Sequence, residues 1–172
     1  MELNEKLIDF RLKSTDDTYF DSKDVDLDKK LVVFFTCNHC PYVHAYETRI
    51  INLQQKYSET CIFVGINSND DIQYPEDNFD KMKYRYKEMK YNFTYLRDQD
   101  QTVASAFGAT HTPHFFVFNH ERTLIYKGKL DDNWNDESGV TTKYLEDVLA
   151  YSGERPPHDT LPVGCTIKWR TK

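Results

Sequence analysis

The stretch Leu-Val-Val-Phe-Phe-Thr-Cys-Asn-His-Cys-Pro, residues 31–41, decides the fold of this chain. Its first five residues form an uninterrupted apolar run, which predicts a strand buried on both faces of a sheet. A helical pattern with one apolar stripe follows from Tyr42 to Tyr57. Two cysteines therefore lie between a buried strand and a helix. The free amides and the positive dipole end at a helix start stabilise a thiolate.

The rest of the chain alternates strand and helix patterns, which predicts a mixed sheet covered on both faces. A right-handed crossover makes the first two long strands parallel. Further predicted elements are an N-terminal hairpin (residues 8–20), strands at 61–67, 93–96, 115–118 and 124–126, and helices at 77–90, 101–107 and 140–151.

The chain has 172 residues, which favours one domain with a substantial core. A segment at 152–159 contains Pro156-Pro157 and is interpreted as a linker. We therefore predict a domain over residues 1–151 and a C-terminal tail over 152–172 that packs back on it.

Composition excludes several classes of function. A formal net charge of −6 argues against a nucleic-acid partner. No apolar run approaches the ~18 residues that a membrane helix needs, so no membrane partner is expected. The polar start at residues 1–6 has no signal-type apolar segment behind it, and we expect a cytoplasmic protein whose thiols rest reduced. No cofactor is predicted.

The order of the elements is similar to the thioredoxin fold: strand, Cys-x-x-Cys, helix, strand, then Thr112-Pro113 ahead of an antiparallel hairpin. Residues 35–43 resemble the peroxiredoxin-like redoxins, of the alkyl hydroperoxide reductase and thiol-specific antioxidant type, that carry a Cys-Asn-His-Cys-Pro motif. Other blocks similar to that family follow in order at 66–70, 95–98, 108–113, 126–132 and 164–169. The resemblance covers nearly the whole chain. It implies an α/β, thioredoxin-like fold with a central mixed sheet, helices on both faces, an N-terminal hairpin and a C-terminal tail.

The cysteine pair is the candidate catalytic centre. Cys37 is expected at the helix N-cap as the attacking thiolate, and Cys40, one turn further, as the resolving thiol. A partly protonated His39 between them favours the Cys37 thiolate. The alternative is half of a structural zinc site, although no second Cys-x-x-Cys completes it.

Thr112 and Pro113 are the candidate substrate-binding residues. The resemblance implies a cis peptide bond packed against the cysteines, which leaves the Thr112 N–H and C=O free to pair with an extended partner chain. A trans proline in an ordinary turn is the alternative. The flanking His111 and His114 are interpreted as surface residues near this groove, in preference to a metal site shared with the two cysteines.

Cys165 is a candidate third redox cysteine, because a folded-back tail brings its thiol near the pair. The alternative is a small buried hydrophobe. Cys61 opens a strand and is assigned to the core.

Two departures from related families matter. Leu31 stands six residues before the first cysteine, where a thioredoxin keeps a buried acid, so proton handling is assigned to His39, Asp98 or Glu47. The proline and threonine that precede a peroxidatic cysteine are not at their usual spacing, which weakens a peroxidase assignment.

The acidic loop at 131–139 begins like a calcium loop but lacks its glycine and final glutamate, and is interpreted as a solvated rim.

The function expected is that of a thiol-disulfide oxidoreductase using the Cys37-x-x-Cys40 dithiol/disulfide pair. Its partners are protein or small-molecule disulfides and thiols, with an unidentified reductant. The alternatives are a peroxiredoxin-like thiol peroxidase with antioxidant activity, and a non-catalytic metal-binding or scaffold module.

Overall fold

The computed structural model describes residues 1–153 and 156–171. Its strands are β1 (Arg11–Ser14), β2 (Tyr19–Asp21), β3 (Lys30–Thr36), β4 (Cys61–Asn67), β5 (Thr94–Arg97), β6 (His111–Thr112), β7 (His114–Phe118), β8 (Leu124–Gly128), β9 (His158–Asp159) and β10 (Cys165–Thr166). The α-helices are α1 (Pro41–Lys56), α2 (Phe79–Glu88), α3 (Thr102–Phe107) and α4 (Tyr144–Ala150). Eight strands form a mixed sheet in the order β2-β1-β5-β4-β3-β7-β8-β9, and β10 pairs with β6 beside it.

Strand β3 is the centre of the sheet. It pairs in parallel with β4 from Lys30 and Cys61 to Thr36 and Asn67, and antiparallel with β7. Residues 31–35 are fully buried. The predictions of a buried strand, a parallel neighbour and a following antiparallel hairpin are therefore confirmed.

Side chains of β3 alternate between two cores, as the period of a strand requires. Val32 and Phe34 pack into a core that contains residues of α1, α2 and α4. Leu31, Val33 and Phe35 pack into a second core with residues of α3. Helices thus cover both faces, and the thioredoxin-like α/β fold predicted from the sequence is confirmed.

Two helices begin later than their patterns indicate. The last helix starts at Tyr144 instead of Val140, because the Thr141 amide and hydroxyl both donate to the Asp132 carboxylate and hold that segment in a loop. A short 3₁₀ turn at Pro75–Asp77 precedes α2, and the Asn78 side chain caps α2 by accepting from an amide in its first turn.

The acidic loop at 131–139 is not a fully solvated rim. Asp131 is buried and accepts hydrogen bonds from Arg49 at 2.7 Å and from the Tyr46 hydroxyl at 3.0 Å. Arg49 also donates to the backbone carbonyls of Asn133 and Trp134. The start of this loop is therefore fastened to α1, and the prediction was wrong for Asp131.

The tail returns to the domain at two places. Strand β9 adds in parallel to β8, so His158 and Asp159 of the expected linker are strand. Strand β10 pairs antiparallel with β6. Glu154 and Arg155 of that linker lie outside the described residues, and the division into a domain and a tail stays a prediction. No helix within the described ranges has the length and apolar character needed to span a bilayer.

Candidate active site

Cys40 is the residue at the helix N-cap. Helix α1 begins at Pro41, and Cys40 has the extended backbone of a cap, with φ −80° and ψ 127°. Proline fits the first helical position because it lacks the amide that would go unpaired there. Cys37 lies directly after β3 instead, before the helix. The expectation that Cys37 occupies the N-cap was wrong by one turn, because Pro41 sets the helix start.

The electrostatics follow this placement. A hydrogen bond from the Cys37 thiol is the largest influence that lowers the pKa of Cys40 from 9.0 to about 4, and Cys165 and the Val43 amide add to it against the effect of burial. The same hydrogen bond, burial and the Asp77 carboxylate raise the pKa of Cys37 well above its ordinary value. These directions favour the thiolate at Cys40 and the thiol at Cys37, opposite to the sequence-based expectation, and the roles of the two thiols in a reaction stay a prediction.

Three sulfur atoms gather around Thr112. The Sγ atoms of Cys40 and Cys165 are 2.8 Å apart. Cys40 Sγ lies 3.3 Å from the Thr112 carbonyl oxygen, to which its thiol form donates, and Cys37 Sγ lies 3.5 Å from Thr112 Oγ1. Both Cys37 and Cys40 are only 1% exposed, whereas Cys165 is partly exposed. The structure therefore brings the three candidate redox cysteines together.

The Thr112–Pro113 peptide bond is cis, as expected. Its backbone edge is not free, however, because β10 pairs with β6 in a register that sets Cys165 opposite Thr112. Thr112 is buried beneath the tail. The expectation of an open docking edge is therefore not met in this conformation.

His39 faces a buried carboxylate. Its Nδ1 lies 2.8 Å from Asp77 Oδ2, and its side chain is 34% exposed while that of Asp77 is fully buried. Asp77 also accepts from the Asn38 amide at 2.7 Å and from the side-chain amides of Asn67 and Asn69. Asp77 thus ties the cysteine loop to the turn after β4.

Sequence reasoning missed Asp77 and named two other carboxylates. Asp98 accepts from the amides of Val103 and Ala104 at the start of α3, and burial raises its pKa. Glu47 pairs with Arg85 and accepts from the Tyr91 hydroxyl. Both carboxylates are thus held by these partners, and neither is among the groups that shift the pKa of the clustered thiols. The polar turn Asn67-Ser68-Asn69 after a buried strand was the available signal for a buried acid nearby.

A cluster of possible metal ligands is present, but its residues are not the set that was considered from the sequence. Ligand atoms of Cys37, His39 and Asp77 lie within 4.8 Å of one another. Asp77 already accepts hydrogen bonds on both oxygens, from Asn38 and from two asparagine side chains. A cation would have to displace those donors, so the cluster is better explained as a hydrogen-bond network.

Two histidines and one cysteine that were interpreted from the sequence lie outside this network. His114 is buried, accepts the Thr110 amide on Nδ1, and has its pKa lowered to about 3, chiefly by burial. Its assignment to the surface was wrong. His111 is partly exposed and its ring bonds the Thr110 hydroxyl. Cys61 is fully buried, which confirms that it belongs to the core.

A thioredoxin-like sheet with clustered thiols at a strand–helix junction, facing a cis-proline, defines a thiol site of the thioredoxin-fold class. The redoxin family profile matches residues 2–144. This protein belongs to the redoxin family.

Similar structures have been solved. An uncharacterised conserved protein from Geobacillus kaustophilus is 34% identical with a TM-score of 0.87, and the match covers 99% of this chain and 94% of that one. A hypothetical protein from Sinorhizobium meliloti 1021 is 29% identical, with a TM-score of 0.87 and coverage of 100% and 97%. A secreted Mycobacterium tuberculosis disulfide oxidoreductase homologous to E. coli DsbE shares the fold alone, at 20% identity, a TM-score of 0.57 and coverage of 67% and 79%. No curated protein matches this chain.

Proposed function

We propose that this redoxin is a thiol-disulfide oxidoreductase that uses the Cys37-x-x-Cys40 dithiol/disulfide pair. The observation that carries the proposal is the Cys40 sulfur at the start of α1, whose pKa is lowered to about 4 while Cys37 hydrogen-bonds to it. Disulfide exchange needs such a thiolate and a second thiol within reach. Cys40 is the attacking sulfur in this proposal, and Cys37 is the resolving thiol.

The reaction balances in two exchange steps. The Cys40 thiolate attacks one sulfur of a partner disulfide, the partner S–S bond breaks, and one partner thiolate leaves a mixed disulfide behind. Cys37 then loses its proton and attacks the Cys40 sulfur, so that the Cys37–Cys40 disulfide forms and the second partner thiolate leaves. Two electrons pass from the pair to the partner. A dithiol reductant restores the pair by the reverse sequence.

His39 is the proposed proton acceptor for Cys37. Its imidazole nitrogen and the Cys37 sulfur lie within 4.8 Å of each other, close enough for transfer through one water. Asp77 orients the ring. The hydrogen bond with Cys40, burial and the Asp77 charge raise the pKa of Cys37, so that it stays protonated until the mixed disulfide removes the charge on Cys40. Thr112 and Pro113 are the proposed edge for an extended partner chain.

The experiment is a trap with insulin as the disulfide substrate. The double variant C37S/C165S keeps the Cys40 sulfur and a hydroxyl donor at each neighbouring position but lacks both neighbouring thiols, so it should accumulate a mixed disulfide at Cys40. The matched variant C40S/C165S should not, and the core variant C61S should reduce insulin at the wild-type rate with dithiothreitol as reductant. Absence of any mixed disulfide in both double variants, with no insulin reduction by the wild type, overturns the proposal.

A thiol peroxidase is the second candidate, because an acidic Cys40 with Cys165 at 2.8 Å also suits peroxide reduction followed by resolution. Stopped-flow mixing with hydrogen peroxide separates the two. Oxidation of Cys40 no faster than that of a free thiol removes the peroxidase. Membership of the peroxiredoxin-like branch, which rests on the Cys-Asn-His-Cys-Pro motif, and a cytoplasmic location are further proposals.

A further inference from the structure

We propose that the tail strand β10 is a resident partner strand: it occupies the docking edge at Thr112 and offers Cys165 to Cys40, so that a Cys40–Cys165 disulfide closes the site to external chains. This inference rests on the proposed exchange chemistry. It adds a regulated state and a third working thiol to that chemistry.

The backbone of the tail lies where a partner chain would add. The Ile167 amide donates to the Thr110 carbonyl at 3.0 Å, and the register then runs through Thr166 and His111 to Cys165 and Thr112. Hydrogen-bonded pairs alternate in an antiparallel ladder, so Cys165 and Thr112 form the next such pair. Strand addition to an exposed edge is a general mode of peptide recognition. The tail therefore satisfies the groups that an external chain needs.

Gly164 permits this close approach. A Cβ atom at this position would lie 2.2 Å from the Thr112 carbonyl oxygen and 2.7 Å from its carbonyl carbon. Both atoms belong to the backbone and cannot turn aside as a side chain can. Any other residue at 164 would push the tail away from β6.

Contacts on the far side of Cys165 hold the tail in place. Ile167 is buried in the core that contains residues of α3. The Lys168 amide donates to Asn69 Oδ1 at 2.9 Å, and its carbonyl accepts from the Asp70 amide at 2.8 Å. Arg170 pairs with Asp70 at 3.2 Å. These contacts hold the tail in one position, and they therefore keep Cys165 beside the other two thiols.

The sulfur atoms are nearly at bonding distance. Cys40 Sγ and Cys165 Sγ are 2.8 Å apart, and a disulfide bond is about 2.05 Å long. Burial and the charge on Cys40 raise the pKa of Cys165 to about 11. The Cys40 thiolate can therefore attack an oxidant. Cys165 retains its proton until a mixed disulfide at Cys40 removes the negative charge of Cys40.

The oxidant is a small-molecule disulfide, for which oxidised glutathione is the probe. The Cys40 thiolate attacks it, forming a Cys40–glutathione disulfide and releasing one glutathione thiolate. Cys165 gives its proton to that thiolate and attacks the Cys40 sulfur. The Cys40–Cys165 bond forms, the second glutathione leaves, and two electrons have moved from the protein to the oxidant. Cys37 then attacks the Cys40 sulfur, the Cys40–Cys165 bond breaks, and the Cys165 thiolate that leaves takes up the proton lost by Cys37. The disulfide moves to Cys37–Cys40, which reopens the edge.

The test compares two glycine substitutions in the same tail, neither of which removes a thiol. G164A should displace β10, whereas at Gly153 an added Cβ meets only the ring of Tyr151, at 3.3 Å. Reduced full-length proteins are oxidised briefly with oxidised glutathione and their disulfides are mapped by mass spectrometry. The wild type and G153A should contain Cys40–Cys165 as the main bond, and G164A should contain mainly Cys37–Cys40. G164A should also react with insulin about tenfold faster, equivalent to about 1.4 kcal/mol of strand docking.

The variant C165S serves as a second test in case G164A does not fold. C165S should form no cross-link to the tail when it is oxidised. Once its Cys37–Cys40 bond is reduced again, its Cys40 thiol should still react with insulin. If the wild type forms only Cys37–Cys40, and C165S and G164A match the wild type in rate, the resident-strand proposal is overturned while the oxidoreductase stands. If no disulfide or mixed disulfide forms at Cys40 in any of these proteins, the oxidoreductase proposal fails, and this one with it.

Discussion

At the scale of single residues, one proline decides which cysteine caps α1. Pro41 fixes the first turn of α1 and makes Cys40 the cap, and the hydrogen bond from the Cys37 thiol is the largest influence that lowers the pKa of Cys40. Asp77 lies beside Cys37 and opposes a charge there. Two cysteines that look equivalent in sequence therefore ionise very differently.

The ionisation of Cys40 predicts a pH-dependent stability. Its pKa is about 4 in the folded protein and 9.0 without the fold, so the unfolded chain binds one more proton between these values. The free energy of unfolding therefore rises with pH in that range, and this contribution is lost as the pH falls towards 4. In reducing buffer, the stability difference between wild type and C40S should grow by more than about 1 kcal/mol from about pH 5 to about pH 8.

Urea denaturation at several pH values measures this difference. The control is C61S, because burial raises the pKa of Cys61 and the thiol stays protonated in both states across this range. Parallel pH profiles for C40S and C61S would show that Cys40 is not ionised in the fold.

The buried carboxylate of Asp77 predicts a second effect. Asp77→Asn removes a charge that accepts from the Asn38 amide and from two asparagine side chains, and it turns an amide donor towards one of those donors. The expected loss is about 2–3 kcal/mol of unfolding free energy, together with a lower pKa of Cys37. The matched control is Asp80→Asn on the surface of α2. Equal stability of the two variants in urea would contradict the role given to Asp77.

At the scale of elements, the loop after β8 is fastened to α1 by a buried ion pair. Arg49 and Asp131 are both nearly inaccessible to solvent, and their atoms meet at 2.7 Å. The rings of Tyr42 and Trp134 make a second contact between the helix and this loop, with centroids 4.1 Å apart. The helix that carries the cysteines at its start is therefore held by the loop as well as by the sheet.

Asp131→Ala tests this attachment. It leaves the Arg49 guanidinium buried without its carboxylate, which costs about 3–5 kcal/mol when one partner of a buried pair is removed. Urea denaturation measures the loss. Asn135→Ala, on the exposed part of the same loop, should change stability by less than about 0.5 kcal/mol. A loss of the same size in both variants would mean that the ion pair does not stabilise the loop.

At the scale of the whole molecule, the first residue and the tail both contact the part of the core around α3. The Met1 amine donates to the Phe107 carbonyl at the end of α3, and Ile167 of the tail packs into the core that contains residues of the same helix. The thiol site is thus assembled from β3, the β6–β7 turn and β10, which are far apart in sequence.

Ile167→Ala predicts a local opening of the tail. Ile167 is 3% exposed, and truncation of a buried isoleucine costs about 2–5 kcal/mol. Because the lost packing belongs to the tail, hydrogen exchange at Cys165 and Thr166 should accelerate, and alkylation of Cys40 should become faster. Leu161→Ala is the matched control, since that side chain is 84% exposed. Unchanged exchange in Ile167→Ala would show that the tail is held by other contacts.

Hydrophobic and turn patterns along the sequence predicted most of the strands and helices, because the residues that form each element lie within one short segment. The run at 31–35 reads as a buried strand wherever the chain places it, and Gly108 ends α3 with a positive φ of 66°, as a C-cap glycine does. The site was predicted less well. The structure brings Cys37, Cys40 and the cis Thr112-Pro113 together, but their roles stay predictions, and Asp77 was missed.

The sequence by itself determined the buried strand at residues 31–35 and its parallel neighbour, the pair of thiols beside a helix start and the presence of a third cysteine in an apolar tail. Only the tertiary structure decided how deeply the two thiols are buried, that Asp77 lies beside His39, and that Cys165 covers Thr112. A pKa depends on burial and on charges within a few ångströms. Apart from the hydrogen bond between the two cysteines, the neighbours Asp77 and Cys165 come from distant parts of the chain, and no spacing along the sequence records them.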